Sequence, residues 1–585
     1  MLGVKITWKT IGIFSGSALV CVFLLVWILQ LWRMDLSIPM GPLDKDLSFH
    51  SMVVKGLVEN GWPLRNPLLG APGASELYDF PEASNLDLAL MKLIALGSRD
   101  YATVLNVFYL ATFPLTVMTS LYAFRQLGIS YPSAVVGSLL YTFLPYHFLR
   151  GELHLTLASY YVVPFAVMIA GWLLHPKAEG DSKANLHGWP VSKMIASIVI
   201  CLLIASSSVY YVFFCAFVIF IAGLLALRLE DRRLARARMV LAACLLQVLV
   251  CGYLLNVSPS LLYIAQHGRN LMAVERYPNE AQIWGLKIAT LLLPIPHHRL
   301  PLFAAIRHSY DNAAPLTNEN VDASLGLVGA FGFLLLLAIL IFGIPRGRDY
   351  ALLRNLASLS IASALLGTIG GLGSLVSHVF PLIRSYNRIS IYIGFLSLAA
   401  AMIALDGVGA WAARRSGRPW LVYPVLFAVL LVGVWDETSP SYVPDYAALH
   451  VEYASDAGFF RRIEESSPAR GMIFELPYLR FPEGHGYVHM GPYGLLRGYL
   501  HSRTLRWSFG AMSGRAVDTW QGDVAKKPVA EFVNVVRAAG FSGIYVDRYG
   551  YADGGKKEVA SLSELLRSTP FDSPDGRLVF FPLSK

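Results

Sequence analysis

Two carboxylates and a histidine lie close together near the start of the chain. Asp44 and Asp46 follow the first long apolar run, which ends at residue 32, and His50 comes four residues after Asp46. Residues four apart share one face of a helix, so the His50 imidazole would lie beside the Asp46 carboxylate. A carboxylate next to an apolar boundary is partly desolvated, which raises its pKa and makes it a better base. The pattern predicts a general base, with Asp46 preferred over Asp44. The alternative is that these groups only cap and solvate a surface helix.

A pair of arginines has the spacing of an anion site. The segment 381–388, PLIRSYNR, carries Arg384 and Arg388 four residues apart, with Tyr386 between them. Guanidinium groups match phosphate oxygens with paired N–H donors and stay charged when desolvated. The spacing therefore predicts a two-pronged phosphate site, and the alternative is two arginines that face lipid headgroups.

Ionisable residues also crowd the segment 144–154, LPYHFLRGELH. Arg150, Glu152 and His154 occupy its last five residues, between two apolar runs. We predict a tight turn whose charged groups either reach water or bind an anion.

The loop 265–322 is long and contains Glu280 and the adjacent pair His297 and His298. Its stretch 285–296 is apolar but too short to cross a bilayer, which indicates a re-entrant or interfacial piece. Paired histidines can bind a metal, but no third ligand follows at helical spacing. We therefore predict no metal site here and treat Glu280 and His297 as candidate substrate contacts.

The composition of the chain indicates which structural elements must position these candidate residues. Only 15% of the 585 residues are charged and 55% are hydrophobic, whereas soluble chains average about 25% charged residues. The fold class predicted is a polytopic α-helical membrane protein of about eleven transmembrane helices. The predicted spans are 11–32, 101–124, 132–149, 155–174, two within 194–227, 239–264, 323–344, 356–376, 389–411 and 419–435.

The uncharged stretch 194–227 is predicted to be a hairpin that turns near Ser206–Ser208. One helix of its 34 residues would exceed the bilayer thickness by about 20 Å, and basic clusters flank both of its ends. Basic residues mark the cytoplasmic side, so with an inside N-terminus the short loops all fall in the cytoplasm. Those loops are 1–10, 125–131, 175–193, 228–238, 345–355 and 412–418, with basic residues that include Lys5, Lys177, Lys183, Arg346 and Arg348. The net charge of +9 is thus explained by topology, and no nucleic-acid partner is predicted.

The long loops 33–100 and 265–322 and the remainder 436–585 are predicted to lie outside. Residues 436–585 alternate strand-like and helix-like segments, which predicts a soluble α/β domain attached to a transmembrane domain of residues 1–435. The expected strands are 472–476, 541–547 and 578–583, and the expected helices are 529–539 and 559–567. All five cysteines fall at or before residue 251, so this domain must be stabilised by core packing without disulfides.

These motifs together resemble the polytopic GT-C glycosyltransferases, which use polyprenyl-phosphate sugars as donors. The resemblance covers the whole chain in its architecture, but only four short stretches match as sequence motifs. They are the acidic motif Asp44-Lys45-Asp46 in the first external loop, NGWPLRNPLLGAPG with YDFP (60–73 and 78–81), LPYHFLRGELH, and IRSYNR before a late span.

The resemblance implies an integral-membrane enzyme that transfers a hexosyl or pentosyl group with inversion onto an acceptor hydroxyl. Asp46, oriented by His50, would be the base, with Asp44 second. Arg384, Arg388 and Arg150 would stabilise the leaving phosphate, with help from His154. Some relatives that transfer oligosaccharides use a divalent metal, whereas those that transfer monosaccharides generally do not, and no cofactor is predicted here.

The implied partners are a polyprenyl-phosphate-linked sugar donor, a glycan, lipid or protein acceptor, and membrane lipid. The implied location is the bacterial inner membrane, with the C-terminal domain periplasmic. Two other classes stay open at this point. A transporter or flippase for a lipid-linked saccharide would need mid-bilayer polar groups and related halves, and a non-catalytic assembly protein would leave Asp46 and Arg384 without a common purpose.

Overall fold

The computed structural model describes residues 7–80, 84–174, 189–274, 276–343, 350–482, 484, 486–568 and 570–583. Helices are the main secondary structure of the described chain before residue 438, as the apolar runs predict. In the described part, the α-helices of this region are α1 (Trp8–Leu29), α2 (Asp46–Glu59), α3 (Asn85–Ile94), α4 (Tyr101–Gln126), α5 (Tyr131–Thr142), α6 (Pro145–Arg150), α7 (Leu155–Ala158), α8 (Val163–Leu174), α9 (Val191–Ala205), α10 (Val209–Leu225), α11 (Arg232–Asn256), α12 (Ser258–His267), α13 (Glu280–Ile283), α14 (Ile288–Leu292), α15 (Pro301–Ala313), α16 (Gly326–Phe342), α17 (Tyr350–Gly367), α18 (Leu372–Val379), α19 (Ser390–Ser416) and α20 (Val422–Glu437).

The protein is a multi-pass membrane protein. Among the described residues, eight helical segments are long and apolar enough to cross a membrane, and α9 and α16 are shorter apolar helices. The predicted hairpin is confirmed, because α9 ends at Ala205 and α10 begins at Val209. The predicted span 239–264 is broken, since α11 ends at Asn256 and α12 starts at Ser258. The count of eleven spans remains a prediction.

Several residues that carry the topology argument, Lys5, Lys177, Lys183, Arg346 and Arg348, lie outside the described residues, as does Pro81 of the YDFP stretch. At the end of the bundle near residues 125–131, Asp406 of α19 caps α5. Its carboxylate accepts hydrogen bonds from the backbone N–H and hydroxyl of Ser130 and from the hydroxyl of Ser133. This intramembrane carboxylate therefore ties two helices together, and its hydrogen bonds satisfy a helix N-terminus.

The C-terminal region contains the expected α/β layers. The first two strands, β1 (Arg65–Asn66) and β2 (Ser75–Glu76), form a small ribbon in the first long loop. The elements of the C-terminal region are α21 (Tyr446–Ser466), β3 (Met472–Leu476), α22 (Leu496–His501), β4 (Arg506–Trp507), α23 (Ala516–Ala525), α24 (Val529–Ala538), β5 (Phe541–Asp547), α25 (Lys556–Leu566), β6 (Phe571–Asp572) and β7 (Leu578–Pro582). The five-stranded sheet has the order β4-β3-β5-β7-β6, with β3 parallel to β4 and β5, and β7 antiparallel to β5 and β6.

The two faces of this sheet join different cores because side chains alternate along a strand. Ile544 and Val546 of β5 pack with Val533 and Leu562 of the outer helices. Tyr545 of the same strand packs in a core that continues through α21 and α22 to α2 and α4. The C-terminal sheet is therefore packed directly onto the first long loop.

The helix α2 begins at Asp46, as the i, i+4 pattern requires, but it is more deeply buried than a surface helix. Every residue from Leu47 to Leu57 is buried, because α4 and α22 both pack against the helix. A one-sided apolar stripe in the sequence does not reveal that the C-terminal domain also packs against this helix. Asp46 is thus presented at the end of a rigid element.

Candidate active site

A buried network of charges joins three segments that are far apart in the sequence. Arg388 donates from Nε and Nη2 to the two carboxylate oxygens of Glu319, at 3.2 and 3.0 Å. Arg150 places Nη1 2.9 Å from the same carboxylate and Nε 3.0 Å from Asp322. Both arginines are buried. The Arg388 pair is a two-pronged fork, which is the stronger geometry. The Arg150 contacts are equally close, but their angles are too bent for hydrogen bonds.

The electrostatics of the network act in opposite directions on its two carboxylates. Burial would raise the pKa of Glu319, but Arg388 and Arg150 lower it well below its usual range. Burial raises the pKa of Asp322 to about 6, although Arg150 opposes the shift. Two guanidinium groups therefore share one firmly ionised carboxylate, Glu319, and the four groups Arg150, Arg388, Glu319 and Asp322 carry no net charge when Asp322 is ionised.

Asp46 lies at the edge of this network. Its Oδ2 is 3.4 Å from Nδ1 of His154, and 45% of its side chain is exposed. Burial lowers the pKa of His154, and the positive charges of Arg150 and Arg388 lower it further. His154 is therefore neutral at working pH, so that it can position the carboxylate without neutralising it. One imidazole thus connects the first-loop acid with the arginines.

His50 has a different environment from the one predicted. It is buried, its ring packs against Phe49 at 5.9 Å between centroids, and burial lowers its pKa to about 4. Nδ1 of His154 lies 3.4 Å from the Asp46 carboxylate, a contact that the helical spacing did not predict. The positive charge that His50 would carry also opposes protonation of His154. Sequence spacing finds neighbours on one helix, whereas this contact crosses from α2 to the turn after α6.

Arg384 and Arg388 do not share a helical face. The helix here is a short 3-10 turn, Tyr386–Ile389, so Arg384 precedes it. Arg384 lies 3.8 Å from Glu280 with 30% of its side chain exposed, and its guanidinium lies 5.9 Å from the centre of the Trp284 ring. The arginine pair is thus divided into a buried member and an accessible member. Tyr386 is fully buried, and its hydroxyl has no partner among the described residues.

Glu152 and His297, two of the predicted contacts, have different environments. Glu152 is buried and accepts a hydrogen bond from the backbone N–H of Met40 at 2.7 Å, and burial raises its pKa to about 8. His297 is exposed, and its backbone carbonyl accepts a hydrogen bond from Ser439 at 2.9 Å. The structure does not place either side chain within the ion pairs of the network described above.

Asp44 is held by the C-terminal domain. A Cβ atom placed on Gly491 would lie 1.9 Å from the Asp44 carbonyl oxygen, so the two backbones are in direct contact. Nearby, Tyr493 and Phe481 pack on Phe49 of α2, with ring centroids 5.4 and 6.1 Å apart. The soluble domain therefore forms part of the wall around the acidic motif.

Glu319 and Asp322 are the site residues that the sequence analysis missed. Both lie in the 3-10 segment Asn318–Ala323, directly before the helix α16. A signal was present, because two carboxylates three residues apart at the edge of an apolar span are costly unless they are paired. No group of three or more His, Cys, Asp or Glu side chains in the described part of the chain has a metal-binding arrangement.

The similarity of this chain to known proteins is found among solved structures. No protein-family model and no curated protein sequence matches this chain. ArnT from Cupriavidus metallidurans, solved with undecaprenyl phosphate, is 12% identical with a TM-score of 0.52, over 99% of this chain and 98% of that one. The chain has the GT-C fold. Two further GT-C structures match less closely. The Archaeoglobus fulgidus oligosaccharyltransferase is 11% identical with a TM-score of 0.47, over 92% and 69% of the two chains. The mycobacterial arabinofuranosyltransferase AftD is 14% identical with a TM-score of 0.47, over 93% and 37%.

Proposed function

We propose that this protein is an integral-membrane glycosyltransferase that moves a sugar from a polyprenyl-phosphate donor to an acceptor hydroxyl, with inversion. The observation that carries the proposal is the contact between Asp46 and His154 at the edge of the Arg150–Glu319–Arg388 network. It connects a partly exposed carboxylate, through one imidazole, with buried and permanently charged guanidinium groups. A base and a phosphate site within one cluster are what displacement of a phosphate from a sugar requires.

In the proposed reaction Asp46 accepts the proton of the acceptor hydroxyl. The resulting oxygen attacks C1 of the sugar while the bond from C1 to the phosphate oxygen breaks. The leaving polyprenyl phosphate takes the bonding electrons, so its negative charge increases in the transition state. Attack from the face opposite to the leaving group gives inversion. Asp44 is the second candidate for the base.

The arginines are proposed to stabilise that developing charge. Arg388 uses Nε and Nη2 on Glu319, which fixes the plane of its guanidinium and leaves Nη1 outside that pair. Arg384, with 30% of its side chain exposed, would make the first contact with the phosphate. Glu319 acts as a positioning residue that holds Arg150 and Arg388 close together despite their like charges.

The structural neighbours support a lipid-linked donor, since ArnT was solved with undecaprenyl phosphate. We propose a bacterial inner-membrane location with a cytoplasmic N-terminus, because that orientation puts the basic loops inside. The acceptor, whether glycan, lipid or protein, would then meet Asp46 on the periplasmic side. Membrane lipid surrounds the helices, and no nucleic acid is involved.

The test is direct turnover by purified protein in detergent. Radiolabelled polyprenyl-phosphate sugars are supplied with envelope acceptor fractions, and both the release of polyprenyl phosphate and the label on the acceptor are measured. Glycan profiles of cells with and without the gene identify which acceptor fraction to use. Stoichiometric transfer, lost in Asp46→Asn, supports the proposal. Movement of an intact lipid-linked sugar across proteoliposomes, without cleavage of the bond at C1, would instead identify a flippase.

A further inference from the structure

A basic cleft lies at the junction between the first long loop and the edge of the C-terminal sheet. It has a volume of about 570 Å³, and its charged lining residues are Arg65, Glu76, Arg470 and Arg506. One wall is the ribbon of β1 and β2 with the loop between them, and the other includes β4, the edge strand of the five-stranded sheet. The cleft is therefore built jointly by the loop that follows α2 and by the soluble domain.

Arg506 is the fixed charge of this cleft. Its Nη2 donates to the carbonyl oxygens of Pro72 and Gly73, each at 2.8 Å, and its Nε donates to the carbonyl of Pro67 at 3.3 Å. Carbonyl oxygens carry only partial charges, so these bonds orient the guanidinium without neutralising it. In the part of the chain that the structure describes, Arg506 has no carboxylate within ion-pair distance.

The other two arginines lie at the rim. Arg470 is exposed and forms no ion pair with any described residue, while Arg65 contacts Glu76 at 3.5 Å with 65% of its side chain exposed. The cleft thus holds three guanidinium groups against one carboxylate, which leaves two positive charges uncompensated. Convergent cations of this kind favour carboxylate or phosphate ligands.

We propose that this cleft binds an anionic saccharide, one that carries carboxylate or phosphate groups. Ligand sites typically measure about 300–1,000 Å³, and this volume suits one or two sugar rings. The choice of a saccharide rests on the proposed function, because the cleft is bordered by the loop that follows α2, the helix that begins at Asp46. A glycan held there would be a part of the acceptor away from the reacting hydroxyl.

The experiment measures binding without a donor sugar, using the full-length protein in detergent micelles. The probe is a trimer of galacturonic acid, and its fully methyl-esterified form serves as the uncharged match. The test protein is the double variant Arg65→Gln with Arg470→Gln, which spares the structural Arg506. The control variant is Arg537→Gln, an exposed arginine on α24.

Isothermal titration should show binding of the charged trimer to the wild type and to Arg537→Gln. The double variant should bind it about tenfold or more weakly, because it lacks both rim charges that would pair with the ligand. Binding should weaken with added salt, and the esterified trimer should not bind. Equal affinity for the double variant and the wild type, or for charged and esterified trimers, would overturn the proposal.

Competition with lipid vesicles distinguishes a saccharide ligand from a lipid headgroup as the source of the bound anion. Phosphatidylglycerol vesicles that compete with the trimer, while neutral phosphatidylcholine vesicles do not, would reassign the cleft to a lipid headgroup. Binding is scored independently of turnover. A cleft that binds the trimer in a protein that transfers no sugar would uphold this inference and refute the proposed function. Transfer that persists without binding would do the reverse.

Discussion

Asp46 Oδ2 lies 3.4 Å from Nδ1 of His154, across the gap between the start of α2 and the turn that follows α6. Burial is the main cause of the lowered pKa of His154, and the positive charges of Arg150 and Arg388 lower that pKa further. A neutral imidazole beside a carboxylate orients it without the charge compensation that a protonated histidine would supply. The pair therefore favours Asp46 as a positioned base over Asp44.

Replacement of Asp46 with asparagine tests this assignment, because the amide keeps the size of the side chain but removes its basicity. Loss of a positioned base typically lowers the rate by about 10²–10⁴-fold. We expect that loss in kcat for Asp46→Asn, with donor binding largely unchanged, measured as release of polyprenyl phosphate by the purified protein.

Asp44→Asn is the matched control and should retain more activity, since Asp44 lacks the His154 contact. Both variants should express and insert normally. Near-normal turnover in Asp46→Asn with an inactive Asp44→Asn would transfer the role of base to Asp44. Full activity in the double variant would remove the mechanism altogether.

The arginines should differ in their tolerance of lysine. Arg388 forms a two-pronged fork with Glu319, which a lysine cannot reproduce, whereas Arg384 makes one contact of 3.8 Å. We expect Arg388→Lys to raise the KM for the donor by about tenfold or more, and Arg384→Lys by about threefold or less, because only the former loses planar bidentate geometry.

Donor titrations at saturating acceptor measure this difference, and thermal unfolding in the same detergent separates it from misfolding. Glu319→Gln removes the carboxylate partner of Arg388 and leaves Arg150 with Asp322, and breaking such a buried pair typically destabilises a protein by about 3–5 kcal/mol. Equal KM values for the two lysine variants would show that the fork has no part in donor binding.

Local structure was the part that the sequence could predict. The charge-free run 194–227 is a hairpin, and the strand patterns at 472–476 and 541–547 are strands. These features depend on residues near each other in the chain, where burial, turn-forming serines and alternating side chains leave a periodic record.

Contacts between segments that are distant in the sequence could not be predicted in the same way. Glu319 belongs to a segment far from both Arg150 and Arg388, and a single sequence gives no distance between these positions. The partner of Asp46 was assigned to His50 because helical spacing favours near neighbours, whereas His154 reaches Asp46 through tertiary packing. The burial of α2 likewise depends on a domain that follows it by hundreds of residues.

Glu152 should act through stability rather than substrate binding. Burial raises its folded-state pKa from 4.5 to about 8, so the folded protein keeps a proton that the unfolded chain releases between those pH values. This group therefore lowers stability as the pH rises from 4.5 to 8, by up to a few kcal/mol. We expect Glu152→Gln to raise the thermal midpoint at pH 8 and to change it little at pH 5.

The exposed Glu564→Gln is the control for that measurement and should leave the pH profile of unfolding unchanged. The KM for the donor should also stay the same in Glu152→Gln. A rise in that KM without a pH-dependent change in the midpoint would restore Glu152 as a substrate contact.

The contact between Gly491 and Asp44 predicts that a single methyl group in the soluble domain can disturb the acidic motif. A Cβ at 491 would lie 1.9 Å from the Asp44 carbonyl oxygen, so one backbone must move. A shift of about 1 Å near reacting groups can cost about 10²-fold in rate, whereas overpacking typically costs about 1–3 kcal/mol of stability. We expect Gly491→Ala to lower kcat by about tenfold or more while the protein remains folded.

Gly458→Ala is the matched control, because a Cβ there meets nothing within 4 Å, and it should turn over normally. Turnover and thermal midpoint measured together on both variants decide the point. A Gly491→Ala protein with a lowered midpoint but wild-type kcat would show that the soluble domain packs against the acidic motif without positioning it.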